Sequence, residues 1–126
     1  MNFKGYHHIG LMSKDAEKSL KFYTEGLGGT AVFSFPHSDK TIYLVDMGGN
    51  AVVEILPMAE EGDENNARWA HIALCTDDAR AAFDAAIKAG AIVRSAPKDM
   101  SLGEMDVTIA FVYGPDKEVI EFFQVR

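Results

Sequence analysis

His8-Ile9-Gly10-Leu11 returns as His71-Ile72-Ala73-Leu74 at an offset of 63 residues, half of the 126 in the chain, and at that offset Asp15 falls on Asp78 and Ala16 on Ala79. A repeat of this length means two copies of one supersecondary unit. Both copies read in the same order. A strand comes first, Tyr6 to Met12 and Trp69 to Thr76. A helix follows, with Ser13 or Asp15 as cap in the first copy and Asp77 or Asp78 in the second. In the second helix Ala79, Ala82, Phe83, Ala86 and Ile87 recur at the spacing of an apolar stripe. Gly90 ends that helix, and Gly26 and Gly28 end the first.

Three strand-like runs close each copy. In the first they are TAVFSF, TIYLVDM and NAVVEIL, with Met47-Gly48-Gly49-Asn50 as a tight hairpin. In the second they are AIVRS, VTIAFVY and EVIEFFQV, with Gly114-Pro115-Asp116-Lys117 as the last turn. SAPKDMSLGEMD reads as an irregular stretch, and the acidic, turn-rich PMAEEGDENNA as a linker. The expected fold is therefore α+β: two tandem βαβββ modules, about 1–57 and 68–126 with a linker near 58–67, forming a curved mixed sheet around a shared cavity within a single domain.

Composition narrows the function. The single cysteine, Cys75, rules out an internal disulfide and a zinc–thiolate cluster. A formal net charge of −7 argues against a phosphate backbone as partner. MNFKGYHHIG lacks the long apolar run of a signal peptide or membrane span, so the expected compartment is the cytoplasm.

Strand alternation sorts the chemistry-bearing residues. His8, Gly10 and Met12 share one face of the first strand; Ile9 and Leu11, with His7, take the other, toward the helix. In the second copy Trp69, His71, Ala73 and Cys75 oppose Ile72 and Leu74. Each histidine thus stands beside a very small residue, which leaves room for a cavity. The carboxylates are more telling. Glu54 lies among Val52, Val53, Ile55 and Leu56, and Glu121 among Val119, Ile120, Phe122 and Phe123. A strand that is apolar on both faces carries an ionised carboxylate only if something offsets a desolvation cost of several kcal/mol. One His on the first strand and one Glu on the last, in both copies, make a set of two imidazoles and two carboxylates. Such a set suits one divalent ion of intermediate hardness: nickel, cobalt or zinc, with manganese or iron as further options.

HHIGL, SLKFYTEGLGG, VVEIL, WAHIALCTDD and GPDKEVIEFFQ together resemble the vicinal oxygen chelate superfamily, the group of glyoxalases, bleomycin-resistance proteins and extradiol dioxygenases. The resemblance implies paired βαβββ modules with a metal held by His8, Glu54, His71 and Glu121. With all four positions filled, the sequence is most similar to glyoxalase I, the lactoylglutathione lyases. That likeness implies a proton moved between adjacent carbons of a small carbonyl compound or its thiol adduct, through an enediolate held by the metal. Glu121 would be the base, Glu54 second, and His8 and His71 neutral anchors. Met12 and Met58 stand where bacterial glyoxalase I proteins carry an Arg and an Asn that grip glutathione, so the resemblance does not extend to glutathione itself or to that mode of binding it. Met12, Trp69 and Phe123 would then give the substrate an apolar lining. The resemblance also implies a homodimer. The same fold hosts epimerases, dioxygenases and non-catalytic drug-binding proteins, and these are the alternatives.

Overall fold

The computed structural model describes residues 3–58, 68–114 and 119–126. Most of the expected linker and residues 115–117 of the expected last turn lie outside the described residues. The elements run β1 (Phe3–Met12), α1 (Ala16–Lys21), a π-helical turn (Phe22–Gly26), β2 (Thr30–His37), β3 (Lys40–Asp46), β4 (Val52–Leu56), β5 (Arg68–Thr76), α2 (Ala79–Lys88), β6 (Ile92–Leu102), β7 (Met105–Tyr113) and β8 (Val119–Val125). They group into two compact units, His8–Ala70 and His71–Arg126 with Met1–His7. No helix among the described residues is long and apolar enough to cross a membrane.

In the first unit the strand order is β2-β3-β4-β1. The β2–β3 and β3–β4 pairs are antiparallel, whereas β1 joins β4 in parallel, Gly10 opposite Glu54 and Leu11 opposite Ile55. The parallel pair needs a crossover, and α1 with its π turn begins it. Asp15 caps α1 through a carboxylate oxygen 3.1 Å from the Lys18 N–H. The helix is shorter than the sequence suggested, because after Lys21 the chain widens into the π turn. Gly28 (φ +81°) then reverses it, and the Gly29 N–H donates to the Tyr23 carbonyl at 2.8 Å. Val45 and Ile55 are fully buried at the centre of this sheet. The hairpin after β3 falls at Met47–Asn50 as expected, closed by the Met47 N–H on the Ala51 carbonyl at 2.8 Å, with positive φ at Gly48, Gly49 and Asn50.

In the second unit the order is β5-β8-β7-β6, with β5–β8 parallel and the other two pairs antiparallel. Asp78 caps α2 by accepting from the Ala81 N–H at 3.0 Å, and the Gln124 side-chain oxygen takes the Ala79 N–H at 3.0 Å. The expected stripe is the buried one: Ala79 and Ala82, with Phe83, Ala86 and Ile87, pack on Ala110, Val112 and Phe122. The opposite face of the same sheet carries a second apolar cluster of Ala73, Val107, Ile109 and Phe123. A sheet covered on both faces explains why its strands read as nearly continuous apolar runs.

One expectation needs correction. SAPKDMSLGEMD is not irregular: it forms most of β6, turns at Gly103 (φ +63°) and enters β7. It escaped recognition because Pro97 and two register shifts, between Val93 and Ser95 and between Ser95 and Lys98, break its alternation. Bulges and proline are tolerated there because β6 ends the strand order of its unit. His7 groups with the second unit, where its side chain is placed relative to α2. Its ring stacks on Phe123 at 4.0 Å, on the face away from α2, while Phe3 stacks on Phe122 at 5.9 Å on the α2 side. The odd-numbered side chains change faces between these positions. Gly5, at φ +91°, is where the alternation breaks.

Candidate metal centre

Each unit holds one buried imidazole–carboxylate pair. In the first, β1 presents His8 and β4 presents Glu54, with His8 Nε2 3.6 Å from Glu54 Oε1. His8 is 1% exposed and Glu54 6%. The parallel register sets Gly10 directly across from Glu54, so no side chain on β1 fills the space beside the carboxylate. In the second unit, β5 presents His71 and β8 presents Glu121, with His71 Nε2 3.0 Å from Glu121 Oε2. Here Ala73, fully buried, stands across from Glu121 on one side and Phe111 on the other. The Phe111 ring meets the His71 ring edge-on at 5.8 Å. The two arrangements are the same motif: a His on the first strand of the module, two positions before a small residue that faces the Glu of the last.

This chemistry fits a divalent ion. Nitrogen and oxygen ligands sit about 2.0–2.2 Å from such an ion, so two of them at a tetrahedral or octahedral angle lie roughly 2.8–3.6 Å apart. The His8–Glu54 and His71–Glu121 separations both fall within that range. The first is too long for a hydrogen bond. In both pairs Nε2 is the ring nitrogen turned toward the carboxylate, one of the two nitrogens through which a neutral imidazole binds a metal. A metal also offsets the cost of burying a carboxylate, which an imidazole at 3.6 Å does poorly.

The expected substrate-binding residues are placed unevenly. Met12 is half-buried on β1, across from Leu56 and in step with His8. Phe123 is buried beneath His7, in step with Glu121. Trp69 is 59% exposed. Met58 is half-buried just past β4, its N–H on the Leu56 carbonyl at 2.8 Å. Cys75 is half-buried on β5, across from Phe123. Sequence reasoning passed over Arg94, whose guanidinium carbon lies 5.3 Å above the centre of the Phe111 ring. It sits in AIVRS at a register shift of β6, where alternation gives no guide to its direction.

Comparison with known proteins agrees with this architecture. Over 125 residues the chain is 29% identical to the uncharacterized protein YwbC of Bacillus subtilis (strain 168), an alignment covering 96% of this chain and 98% of that protein. Over 123 residues it is 31% identical to a "probable lactoylglutathione lyase" of Vibrio cholerae serotype O1, covering 93% of this chain and 88% of that one. The crystal structure of methylmalonyl-CoA epimerase from Mycobacterium tuberculosis superposes with a TM-score of 0.75 at 18% identity, covering 97% of this chain and 88% of that one. At that identity the likeness speaks for the fold alone, and it supports the α+β architecture of paired βαβββ modules. The family profile matches residues 5–122, and the chain belongs to the Glyoxalase/Bleomycin resistance protein/Dioxygenase superfamily.

Proposed function

We propose that this protein is a metal-dependent lyase or isomerase of the glyoxalase I type. It acts on a small carbonyl compound, or on its thiol adduct, by moving a proton between adjacent carbons. The observation that carries the reading is the duplicated, buried His–Glu pair, one in each unit. The 31% identity to the Vibrio cholerae relative named as a lyase supports it. His8, Glu54, His71 and Glu121 hold one divalent ion, of nickel, cobalt or zinc, or else manganese or iron. When bound, that ion supplies Lewis-acid polarisation of the substrate's oxygen and so acidifies the adjacent C–H.

The chain's own residues do the rest. Glu121 takes the proton at a carboxylate oxygen and returns it to the neighbouring carbon, with Glu54 as the second carboxylate able to share the task. His8 and His71 stay neutral and fix the geometry. The apolar surroundings of Glu121, among them Phe111 and Phe123, keep water from quenching the transferred proton. Met12, Trp69 and Phe123 contact the substrate. The reading includes a cytoplasmic homodimer whose partner is a small molecule, with neither nucleic acid nor membrane involved.

The test joins elemental analysis of the purified protein to assay on methylglyoxal with a panel of thiols. A bound divalent ion and thiol-dependent consumption of methylglyoxal are expected. A protein that takes up no divalent metal overturns the reading. A loaded protein that leaves every adduct untouched but exchanges the α-proton of a branched acyl thioester moves it to the epimerases.

A further inference from the structure

We propose that Arg94 is a substrate-recognition residue and that the substrate carries an anionic group at the end remote from the reacting carbon. This rests on the function proposed above. It names the substrate class for the same site. Arg94, Phe111, His71 and Glu121 all belong to one unit and form a continuous series of contacts. The Arg94 guanidinium lies over Phe111 at 5.3 Å, Phe111 meets His71 edge-on at 5.8 Å, and His71 pairs with Glu121 at 3.0 Å. Phe111 packs with the Ala73, Ile109 and Phe123 cluster, so the guanidinium stands on the sheet face that bears the His–Glu pair rather than on the α2 face.

The form of the contact matters. A guanidinium held over a ring by a cation–π contact spends none of its N–H donors on a hydrogen-bond acceptor there, so they stay available to a carboxylate or phosphate. Arg94 is exposed, and among the described residues no carboxylate lies within ion-pair distance of it. Arg80, by contrast, is held by Asp99 at 2.9 Å. In a chain of net charge −7 an anion is repelled at most approaches, so a cation held in place next to the reacting pair selects where an anionic ligand enters. The two ring contacts put the charge beyond reach of the reacting carbons but within reach of the far end of a short-chain substrate. Arg94 is therefore a specificity residue and takes no part in proton transfer.

The test uses two non-reacting probes on the same carbon chain, adipic monohydroxamate and its methyl ester. Each can chelate the metal, and they differ at the distal end alone, a carboxylate in one and a neutral ester in the other. Calorimetric titration of metal-loaded protein is expected to give about tenfold tighter binding of the carboxylate form, the size of one charge-assisted hydrogen bond. Arg94→Met should bind the two alike, with its ester affinity unchanged, and Arg94→Lys should restore part of the preference. Equal affinities in the unaltered protein, or a preference that persists in Arg94→Met, overturns the proposal. A chain that takes up no metal, scored separately by elemental analysis, overturns the functional reading and this proposal together. Loaded protein without charge discrimination overturns the role of Arg94 alone.

Discussion

Glu121 is 4% exposed, stands between Ala73 on β5 and Phe111 on β7, and faces the His71 imidazole at 3.0 Å. An ionised carboxylate in such a place is tolerable only if a cation or several donors share its charge. Glutamine keeps the shape of the side chain and removes both the charge and the proton-accepting oxygen. Under the proposed function, Glu121→Gln should lower turnover by roughly 10²–10⁴-fold, the usual worth of a general base, while thermal unfolding stays near that of the parent chain. Full activity in that variant would remove Glu121 from the base role. Both glutamates were legible in the sequence because charge inside an apolar run is physically costly and so stands out. Arg94 was not, since it lies where a bulge breaks the alternation used to assign faces. Asp99 supplies a residue-scale test of a different kind. The Thr108 hydroxyl (2.6 Å) and the Arg80 guanidinium (2.9 Å) hold its carboxyl below its ordinary 3.8. A depressed carboxyl adds stability that is fully present above about 3.8 and is lost as pH falls through the lower folded-state value. The gap in urea midpoint between the parent and Asp99→Asn should therefore be constant near neutrality and close in acid. A gap that widens in acid would contradict the assignment.

At the scale of elements, the π turn after α1 shows what periodicity does not reveal. The run SLKFYTEGLGG announces a helix and its end, yet nothing in it marks where the helix widens. The turn ends in a close approach. A Cβ on Gly29 would lie 2.8 Å from the Tyr23 carbonyl oxygen and 2.9 Å from a Val45 methyl, and also within 2.6 Å of the Met47 sulfur. Two of these three neighbours cannot swing away, one being backbone and the other a fully buried core residue. Gly29→Ala should cost about 1–3 kcal/mol, as overpacking generally does, read as a fall in the urea midpoint with an unchanged slope. No loss of stability would mean that the turn relaxes freely. In α2, by contrast, the apolar stripe read from the sequence is the face that packs, because a regular helix presents every third and fourth residue to one side. Strand β6 lies between these cases: its start, in AIVRS, was recognisable, but Pro97 and its register shifts made the rest look like a loop.

For the molecule as a whole, the duplication is the organising fact. It made the α+β class, the mixed sheet and the two helices predictable, since each oddity in one half could be checked against the other. The compact units nevertheless divide the chain differently from the repeat: residues up to His7 group with the second half, so the unit boundary runs through β1 between His7 and His8. Repeats record ancestry in sequence, whereas compactness follows contacts, and the two need not coincide. The central claim is that the two His–Glu pairs serve one ion. The most direct measurement is metal stoichiometry per chain in the parent protein and in His8→Ala and His71→Ala, each from a different unit and each checked for retained fold. One divalent ion per chain in the parent, with retention collapsing in both variants, is the predicted result. Two ions per chain, a variant that keeps its metal, or a parent that binds none would contradict the account.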